Sequence, residues 1–172
     1  MKQILLHRQN PLLPKIYTQV NDEDYSCLKK FVWYYFIYKR TAYAKTFVDG
    51  KCISMQMMIL NPIDGRTVDH IDGNGLNNQR FNLRPATLQQ QRQNKSKHLN
   101  SNSQYKGVYY REDRDYFVAQ ICINGKQTYL GSFQSEDQAA LAYNVAARKY
   151  YGEFAKLNHL PERRSETHGT PN

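Results

Sequence analysis

Asp69 and His70 stand side by side in the segment TVDHIDGNGLNNQRFNLRPATLQQQRQNK, which covers residues 67–95. A carboxylate can hold a hard cation such as Mg²⁺ through oxygen, and a neutral imidazole can take up a proton near neutral pH. Together the two groups could activate water for attack on a phosphodiester bond. The segment also carries several amide side chains, so it is the first candidate for chemistry in this chain.

The residues around this pair predict a short hairpin followed by a helix. Thr87 and Gln90 have the spacing of a capping box, which places a helix start at Thr87. Successive strand residues point to opposite faces, so Asp69 and His70 can share one site only at a strand end or in a distorted hairpin. The loop Asp72–Gly75 suits such an end because Asp, Asn and Gly favour turns.

A purely structural interpretation of the same residues has to be weighed. An Asp-His pair in a Gly- and Asn-rich loop is usually a turn in which side chains cap backbone groups. We assign that role to Asp72–Gly75. For Asp69, His70 and Asn82 together, the order and spacing favour a functional site. For Gln91, further along the chain, both interpretations remain open.

The order Asp69-His70, followed by Asn82 within FNLRPAT, resembles the HNH endonucleases, whose core is a ββα-metal fold, over residues 15–95. The resemblance implies a single divalent metal, Mg²⁺ or Mn²⁺, bound by Asp69 and Gln91. It also implies that His70 is the general base and that Asn82 orients it. The family usually has Asn where Gln91 stands, and Asn94 matches a second Asn that commonly follows on the same helix.

The composition favours an anionic partner in a reducing compartment. A formal net charge of +9 favours a polyanion, since each phosphate neutralised releases counterions. The three cysteines are scattered and form neither a zinc ribbon nor a disulfide framework, so we expect no structural zinc. No apolar run is long enough to span a bilayer, and the first residues lack the pattern of a secretory signal.

The residues before the Asp-His segment predict a loose lead-in at 1–14 and then a β-rich region. FVWYYFIYKR is compatible with a buried strand, or with a strand and its edge, and residues 41–60 are interpreted as a hairpin. Its turn is Asp49-Gly50, a dipeptide that accepts positive φ at both central positions. Trp33 is assigned to the core rather than to base stacking.

The segment after residue 103 predicts three strands and one helix. The strands are Tyr105–Arg111, Asp115–Ile123 and Lys126–Phe133. Asn124-Gly125 between the last two is a hairpin signal. Ser135 and Gln138 have capping-box spacing, so a helix with an alanine-rich face is expected to follow and to pack on the sheet.

This segment resembles the DNA-binding domain of the Apetala and ethylene-response-factor type over nearly all of 103–159, in the motifs YKGV, FVA, LGSF and GEFAKLN. The resemblance implies that the exposed face of the sheet lies in the DNA major groove. Core packing remains an alternative for Phe117 and Tyr129, and a solvated charge for Arg111. The residues implied to face the groove are Lys106, Tyr109, Arg111, Phe117, Gln120 and Tyr129.

The sequence thus predicts an α+β protein with two domains. They are an HNH domain at 15–97, with a β-rich entry and a ββα-metal core, and a domain at 104–160 with a three-stranded antiparallel sheet packed on one helix. A linker at 98–103 joins them, and a disordered tail is expected at 161–172.

The predicted function is a homing-type DNA endonuclease. It would act on double-stranded DNA as a monomer or weak dimer, in the cytoplasm of a bacterial host, and be encoded by a phage or an intron. The main alternative is a non-enzymatic DNA-binding protein derived from such a nuclease. A weaker one is an RNA-binding protein that stacks bases on its aromatic side chains.

Overall fold

Short strands dominate the computed structural model, which describes residues 1–10, 12–97 and 102–161. The chain divides into two compact units, Met1–Lys95 and Ser96–Asn172. Most of the predicted linker and all but the first residue of the predicted tail lie outside the described residues. No helix in the described part is long and apolar enough to cross a membrane.

The first unit combines small sheets with three short helices. Its strands are β1 (Lys2–Leu6), β2 (Ile16–Val20), β3 (Tyr34–Tyr38), β4 (Thr41–Val48), β5 (Lys51–Ser54), β6 (Thr67–His70), β7 (Asn77–Asn78) and β8 (Leu83–Ala86). Its helices are α1 (Asp22–Leu28), α2 (Met55–Leu60) and α3 (Leu88–Gln93), and a 3₁₀ turn covers Arg80–Asn82. The sheets have the orders β1-β2-β7, β3-β4-β5 and β6-β8.

The predicted loose lead-in at 1–14 contains strand β1, so that interpretation does not hold for Lys2–Leu6. Strand β1 pairs antiparallel with β2, and β2 in turn pairs in parallel with β7 in the loop after His70. Ile4 and Leu6 are buried, one strand period apart, and join the core of the unit. The strand contains one run of three apolar residues, Ile4, Leu5 and Leu6, without the alternation typical of a half-buried strand, which is why the sequence alone did not reveal it.

The aromatic region is a hairpin, as predicted, but its ends differ from the prediction. Asp49 and Gly50 have φ of 49° and 74°, which confirms the turn between β4 and β5. The apolar residues after Ser54 form helix α2 instead of extending the strand. Met55 and Ile59 are both buried, at helical spacing.

Strand β3, which lies in the segment FVWYYFIYKR, is not a buried strand. Most of β3 is open to solvent, including Phe36, Ile37 and Tyr38. Trp33, just before it, is only 1% exposed and its indole Nε1 donates to the carbonyl oxygen of Leu28 at 2.8 Å. The assignment of Trp33 to the core is therefore confirmed.

Strands β6 and β8 and helix α3 position the Asp-His segment. The two strands are antiparallel, with Asp69 opposite Arg84 and His70 opposite Leu83. Thr87 Oγ1 accepts from the backbone N–H of Gln90 at 3.2 Å, and Gln90 Oε1 accepts from the Thr87 N–H at 2.8 Å. The predicted capping box is thus confirmed, and it fixes the start of α3 directly after β8.

The second unit is a three-stranded antiparallel sheet with one long helix packed on it, as the sequence predicts. Its elements are β9 (Val108–Arg111), β10 (Tyr116–Ile123), β11 (Lys126–Phe133), α4 (Glu136–Tyr151) and a 3₁₀ turn at Gly152–Phe154. Buried alanines on α4 pack against Val108, Ala119 and Ile121 of the sheet. Together with the first unit, this makes the chain an α+β protein.

The predicted second capping box is absent. Ser135 occupies the N-cap position of α4 but its side chain makes no cap hydrogen bond. The carboxylate of Glu136 instead accepts from Ser103 Oγ at 2.6 Å and from the Gln104 N–H at 2.8 Å. These bonds tie the chain that precedes β9 to the start of α4.

Candidate functional site

Asp69 and His70 lie at the last two positions of β6, where the strand gives way to the loop. Both side chains are largely buried, at 9% and 5% exposure. The loop approaches β4 closely at Gly75, where a Cβ atom would lie 2.2 Å from the carbonyl oxygen of Ala42. The ring of Tyr43, also on β4, lies 6.1 Å from the His70 ring. Asp69 and His70 thus lie where the loop after β6 packs against strand β4.

The Asp69 carboxylate has two unequal oxygens. Its Oδ2 accepts from Arg84 Nη2 at 3.0 Å, from Arg84 Nε at 3.2 Å and from Asn94 Nδ2 at 3.0 Å. No donor among the described residues contacts Oδ1. Burial raises the pKa of Asp69, and the bonds from Arg84 and Asn94 offset only part of that effect. One carboxylate oxygen is therefore held by Arg84 and Asn94, and the other makes no hydrogen bond with the described residues.

The His70 ring is oriented by Asn78. The ring Nε2 lies 3.1 Å from Asn78 Oδ1, and within the described chain Nδ1 makes no hydrogen bond. Burial lowers the pKa of His70, while the bond to Asn78 and the charges of Asp72 and Asp69 oppose that shift. A neutral imidazole with an uncommitted nitrogen is what a general base requires.

Asn82, predicted to orient His70, makes its hydrogen bonds to the loop and not to the His70 ring. Asn82 Oδ1 accepts from the N–H of Asp72 at 3.0 Å, and its Nδ2 donates to Asp72 Oδ1 at 2.9 Å and to the Asn77 carbonyl oxygen at 2.8 Å. These bonds close the base of the loop between β6 and β8. Asn82 therefore shapes the loop, and Asn78 contacts the imidazole in its place.

Asn94, rather than Gln91, contacts the Asp69 carboxylate. The Asn94 amide is buried and also donates to the carbonyl oxygens of His70 at 2.8 Å and Ile71 at 3.3 Å. Gln91 Nε2 donates to the carbonyl oxygen of Val68 at 3.1 Å, so its amide lies against β6 one residue before Asp69. Asn94 reaches Asp69 through N–H groups, which bind carboxylates and not metals.

The described residues contain no group of three or more His, Cys, Asp or Glu side chains arranged to hold a metal. A cation at this site would have Asp69 as its one carboxylate ligand. Amide or water oxygens and an oxygen from a substrate would have to complete its coordination. Mg²⁺ often keeps several waters and binds through only one or two carboxylates, so this donor set fits it.

In the second unit, the predicted groove-facing residues divide between two faces. Cross-strand pairs place Tyr109 beside Val118, Arg111 beside Tyr116 and Tyr129 beside Gln120. Because alternate strand residues share a face, Tyr109, Arg111, Gln120 and Tyr129 lie together on the side of the sheet away from α4. We call these four residues the open face. Tyr129 is 64% exposed.

Phe117 and Lys106, also predicted to face the groove, do not belong to the open face. Phe117 packs against the core between sheet and helix, on the same face of β10 as Ala119. Lys106 precedes β9, and its ammonium lies 6.0 Å from the ring centroid of Tyr143 on α4. Burial, with the nearby charge of Lys156, lowers the pKa of Lys106 to about 8.

Arg111 is the cation of the open face, and Asp113 engages it directly. Its Nε and Nη2 atoms donate to the two carboxylate oxygens of Asp113 at 2.8 and 2.7 Å. The bonds from Arg111 lower the pKa of Asp113 to about 2. Any contact of Arg111 with DNA has to compete with this fork, in which both partners are solvent-exposed.

Comparison with known proteins decides the family of the chain. It is 33% identical over 146 residues to an uncharacterized HNH endonuclease of Acanthamoeba polyphaga mimivirus, covering 82% of this chain and 74% of that protein. The chain belongs to the HNH endonuclease family. No family model and no solved structure matches it.

Two plant proteins match shorter stretches of this HNH endonuclease family member. An AP2-like ethylene-responsive transcription factor of Arabidopsis thaliana is 53% identical over 34 residues, which is 20% of this chain and 7% of that protein. The dehydration-responsive element-binding protein 2D of the same plant is 46% identical over 65 residues, 37% of this chain and 31% of that protein. The chain thus spans only a small part of either plant protein.

The HNH resemblance led to Asp69 and His70 but missed Asn78 and Arg84. A signal for Arg84 exists, because a strand residue directly opposite a buried carboxylate is a natural place for a counterion. Using it requires the hairpin register, which depends on the path of the loop. Asn78 is the second residue of an Asn pair, and its distance from His70 is fixed by the same loop.

Proposed function

We propose that this protein is a DNA endonuclease that hydrolyses phosphodiester bonds with a single divalent cation, Mg²⁺ or Mn²⁺. Strands β6 and β8 with helix α3 would form its ββα-metal core. The observation that supports the proposal is the pair of reactive atoms at the end of β6. Asp69 Oδ1 and His70 Nδ1 have no hydrogen-bond donor or acceptor among the described residues, while the other polar atom of each side chain is held firmly.

In this mechanism His70 Nδ1 takes a proton from the attacking water, and the ring then carries a positive charge beside Asp69 and Asp72. Asp69 Oδ1 would hold the cation, while the hydrogen bonds from Arg84 and Asn94 to Oδ2 keep the carboxylate from rotating. A bound divalent cation would offset the negative charge on the scissile phosphate and on the departing 3′ oxygen. Asn82 acts only through the loop that it closes.

Incubation of the purified full chain with supercoiled plasmid and Mg²⁺ tests the proposal. Nicked or linear product that disappears with a chelator supports a metal-dependent endonuclease. DNA binding without any cleavage in Mg²⁺ or Mn²⁺ would instead support the second candidate function, a non-enzymatic DNA-binding protein. The presence of Gln91 where the family usually has Asn is the observation that favours this second candidate.

Gln91 sets the metal requirement if it supplies an oxygen to the cation. Its side chain is one methylene longer than Asn and its amide nitrogen is tethered to Val68, so the carbonyl oxygen is displaced from the place an Asn oxygen would take. Misplacement by an ångström can cost roughly 10²-fold in rate. We therefore expect Gln91→Asn to raise the nicking rate at limiting Mg²⁺ by up to ~10²-fold and to lower the Mg²⁺ concentration for half-maximal rate.

The measurement is the nicking rate against Mg²⁺ and Mn²⁺ concentration. Gln89→Asn, the same substitution at an exposed position of α3, is the matched control and should leave both curves unchanged. Identical curves for Gln91→Asn and the parent protein would show that Gln91 does not bind the cation.

We propose further that the second unit holds the enzyme on double-stranded DNA with its open face. Three kinds of group meet there, an arginine, an amide and two tyrosines, and each can contact base edges or phosphates. The matched plant proteins are named as an ethylene-responsive transcription factor and a dehydration-responsive element-binding protein. Together with the resemblance of residues 103–159 to plant DNA-binding domains, these names support a nucleic-acid role for this unit. Lys106 and Phe117 are left out of the proposed interface.

The fork between Arg111 and Asp113 makes the proposal testable. Asp113→Asn removes one negative charge and releases the guanidinium, so DNA affinity should rise severalfold at low salt, where phosphate contacts are strongest. Glu112→Gln removes the same charge from the same turn and serves as control. Affinities are measured by fluorescence anisotropy on a labelled duplex.

If Arg111 contacts DNA, the extra gain of Asp113→Asn over Glu112→Gln disappears in an Arg111→Gln background. A gain of equal size with and without Arg111 would mean that the net charge, or the release of Arg114 at 3.6 Å from Asp113, accounts for the effect. Arg111 would then be removed from the interface.

A further inference from the structure

A buried hydrogen-bond chain connects strand β2 to the His70 ring. Thr18 and Asn78 are both 0% exposed. Thr18 Oγ1 lies 2.8 Å from the carbonyl oxygen of Leu76 and 2.8 Å from Asn78 Nδ2. Asn78 Oδ1 then lies 3.1 Å from His70 Nε2. Polar side chains this deeply buried are costly unless every group is satisfied, so the direction of each bond can be worked out.

The direction is set at the Thr18 end. The carbonyl oxygen of Leu76 can only accept a hydrogen bond, so the single hydroxyl proton of Thr18 points towards it. The other neighbour of the hydroxyl, Met55 Sδ at 3.9 Å, is also only an acceptor. In either case Thr18 Oγ1 has no proton left for Asn78 and must accept from it.

Asn78 passes this direction on to the ring. Its Nδ2 donates to Thr18 Oγ1 and, at 3.4 Å, to the carbonyl oxygen of Gly75. A flipped amide would set its oxygen against both of these acceptors. The Asn78 carbonyl oxygen therefore faces His70 Nε2, and it accepts only if that nitrogen carries the proton.

We propose that Thr18 and Asn78 are positioning residues that hold neutral His70 in the Nε2–H tautomer and leave Nδ1 as the basic nitrogen. The consequence for cleavage rests on the proposed function of His70, but the tautomer itself does not. Strand β2, which is far from the Asp-His segment in the sequence, would then help to orient His70 through Thr18.

The tautomer is read by nitrogen-15 NMR of the labelled full chain above neutral pH. The two ring nitrogens of a neutral histidine have well-separated shifts, and a His70→Gln spectrum assigns the signals among the five histidines. We expect Nε2 of His70 to carry the proton. A protonated Nδ1 in the parent protein would overturn the proposal outright, whether or not the protein cleaves DNA.

Two variants of Thr18 test its part. Thr18→Val keeps the shape but removes the acceptor, so the Asn78 amide is no longer held in one orientation and His70 should populate both tautomers. Thr18→Ser keeps the hydroxyl and should preserve the parent spectrum. We expect the cleavage rate to fall ~10-fold in Thr18→Val, the lower end of losses seen when a residue that orients a functional imidazole is changed.

Parent-like ring signals in Thr18→Val would show that Thr18 does not hold the Asn78 amide in its orientation. If Thr18→Val does not fold, Thr18→Ser and the parent protein still decide the matter. Mixed tautomers in both of these would overturn the proposal.

Discussion

His70→Ala should remove DNA cleavage while leaving DNA binding nearly intact. His70 is the titratable side chain that adjoins Asp69 at the end of β6, and its Nδ1 makes no hydrogen bond with any described residue. Loss of a general base typically costs ~10²–10⁴-fold in rate. The proposed DNA-binding face belongs to the other unit, so the affinity for duplex DNA should change little.

Single-turnover nicking and a binding titration on the same preparation measure the two effects. His159→Ala, which removes an exposed histidine of the second unit, is the control and should cleave at the parent rate. Thermal unfolding must accompany the comparison, since His70→Ala leaves the buried Asn78 oxygen without its donor. Near-parent cleavage by a folded His70→Ala protein would show that another group is the base.

Short sequence patterns were sufficient to predict several features of the first unit. The capping box at Thr87 and the turn at Asp49-Gly50 each depend on a few neighbouring residues, and both are present in the structure. The order Asp69, His70, Asn82 was likewise readable because the resemblance extends along one segment. What these rules could not supply is which side chain contacts which.

The missing information lies in the loop between β6 and β8. The side-chain oxygens of Asp72, Asn74 and Asn82 accept hydrogen bonds from backbone N–H groups of the loop. These bonds determine the path of the loop. Such bonds have no periodicity, so no sequence pattern predicts that Asn78 faces the ring while Asn82 faces away. The parallel pairing of β2 with β7 that brings in Thr18 is equally non-local.

The second unit shows a different limit. Strand patterns, the Asn124-Gly125 turn and the helical spacing correctly indicated three strands and a helix. The resemblance to plant DNA-binding domains placed Phe117 on the groove face, with core packing as the alternative. Strand alternation alone would have corrected this, because Phe117 shares its face with Ala119 and Ile121, whose small or apolar side chains suit a helix-packed surface. Physical periodicity was the better guide here than the resemblance.

Asp69→Asn should abolish cleavage at every metal concentration and also lower stability. The substitution removes the carboxylate charge that would hold the cation, a contribution of several kcal/mol to the transition state. It also removes the negative charge that pairs with Arg84, and both side chains of this pair are only 11% exposed. Removing one partner of a buried ion pair costs about 3–5 kcal/mol of folding free energy.

The double variant Asp69→Asn with Arg84→Gln separates the two effects. Removing both charges lets two amides face each other, so most of the stability lost in Asp69→Asn should return, because replacing both members of a buried pair is far less costly than removing one. Cleavage should not return, since no carboxylate is left for the cation. Denaturant unfolding and nicking assays in Mg²⁺ and Mn²⁺ are the measurements. If the double variant regains cleavage together with stability, Asp69 is a structural partner of Arg84, and the metal must bind elsewhere.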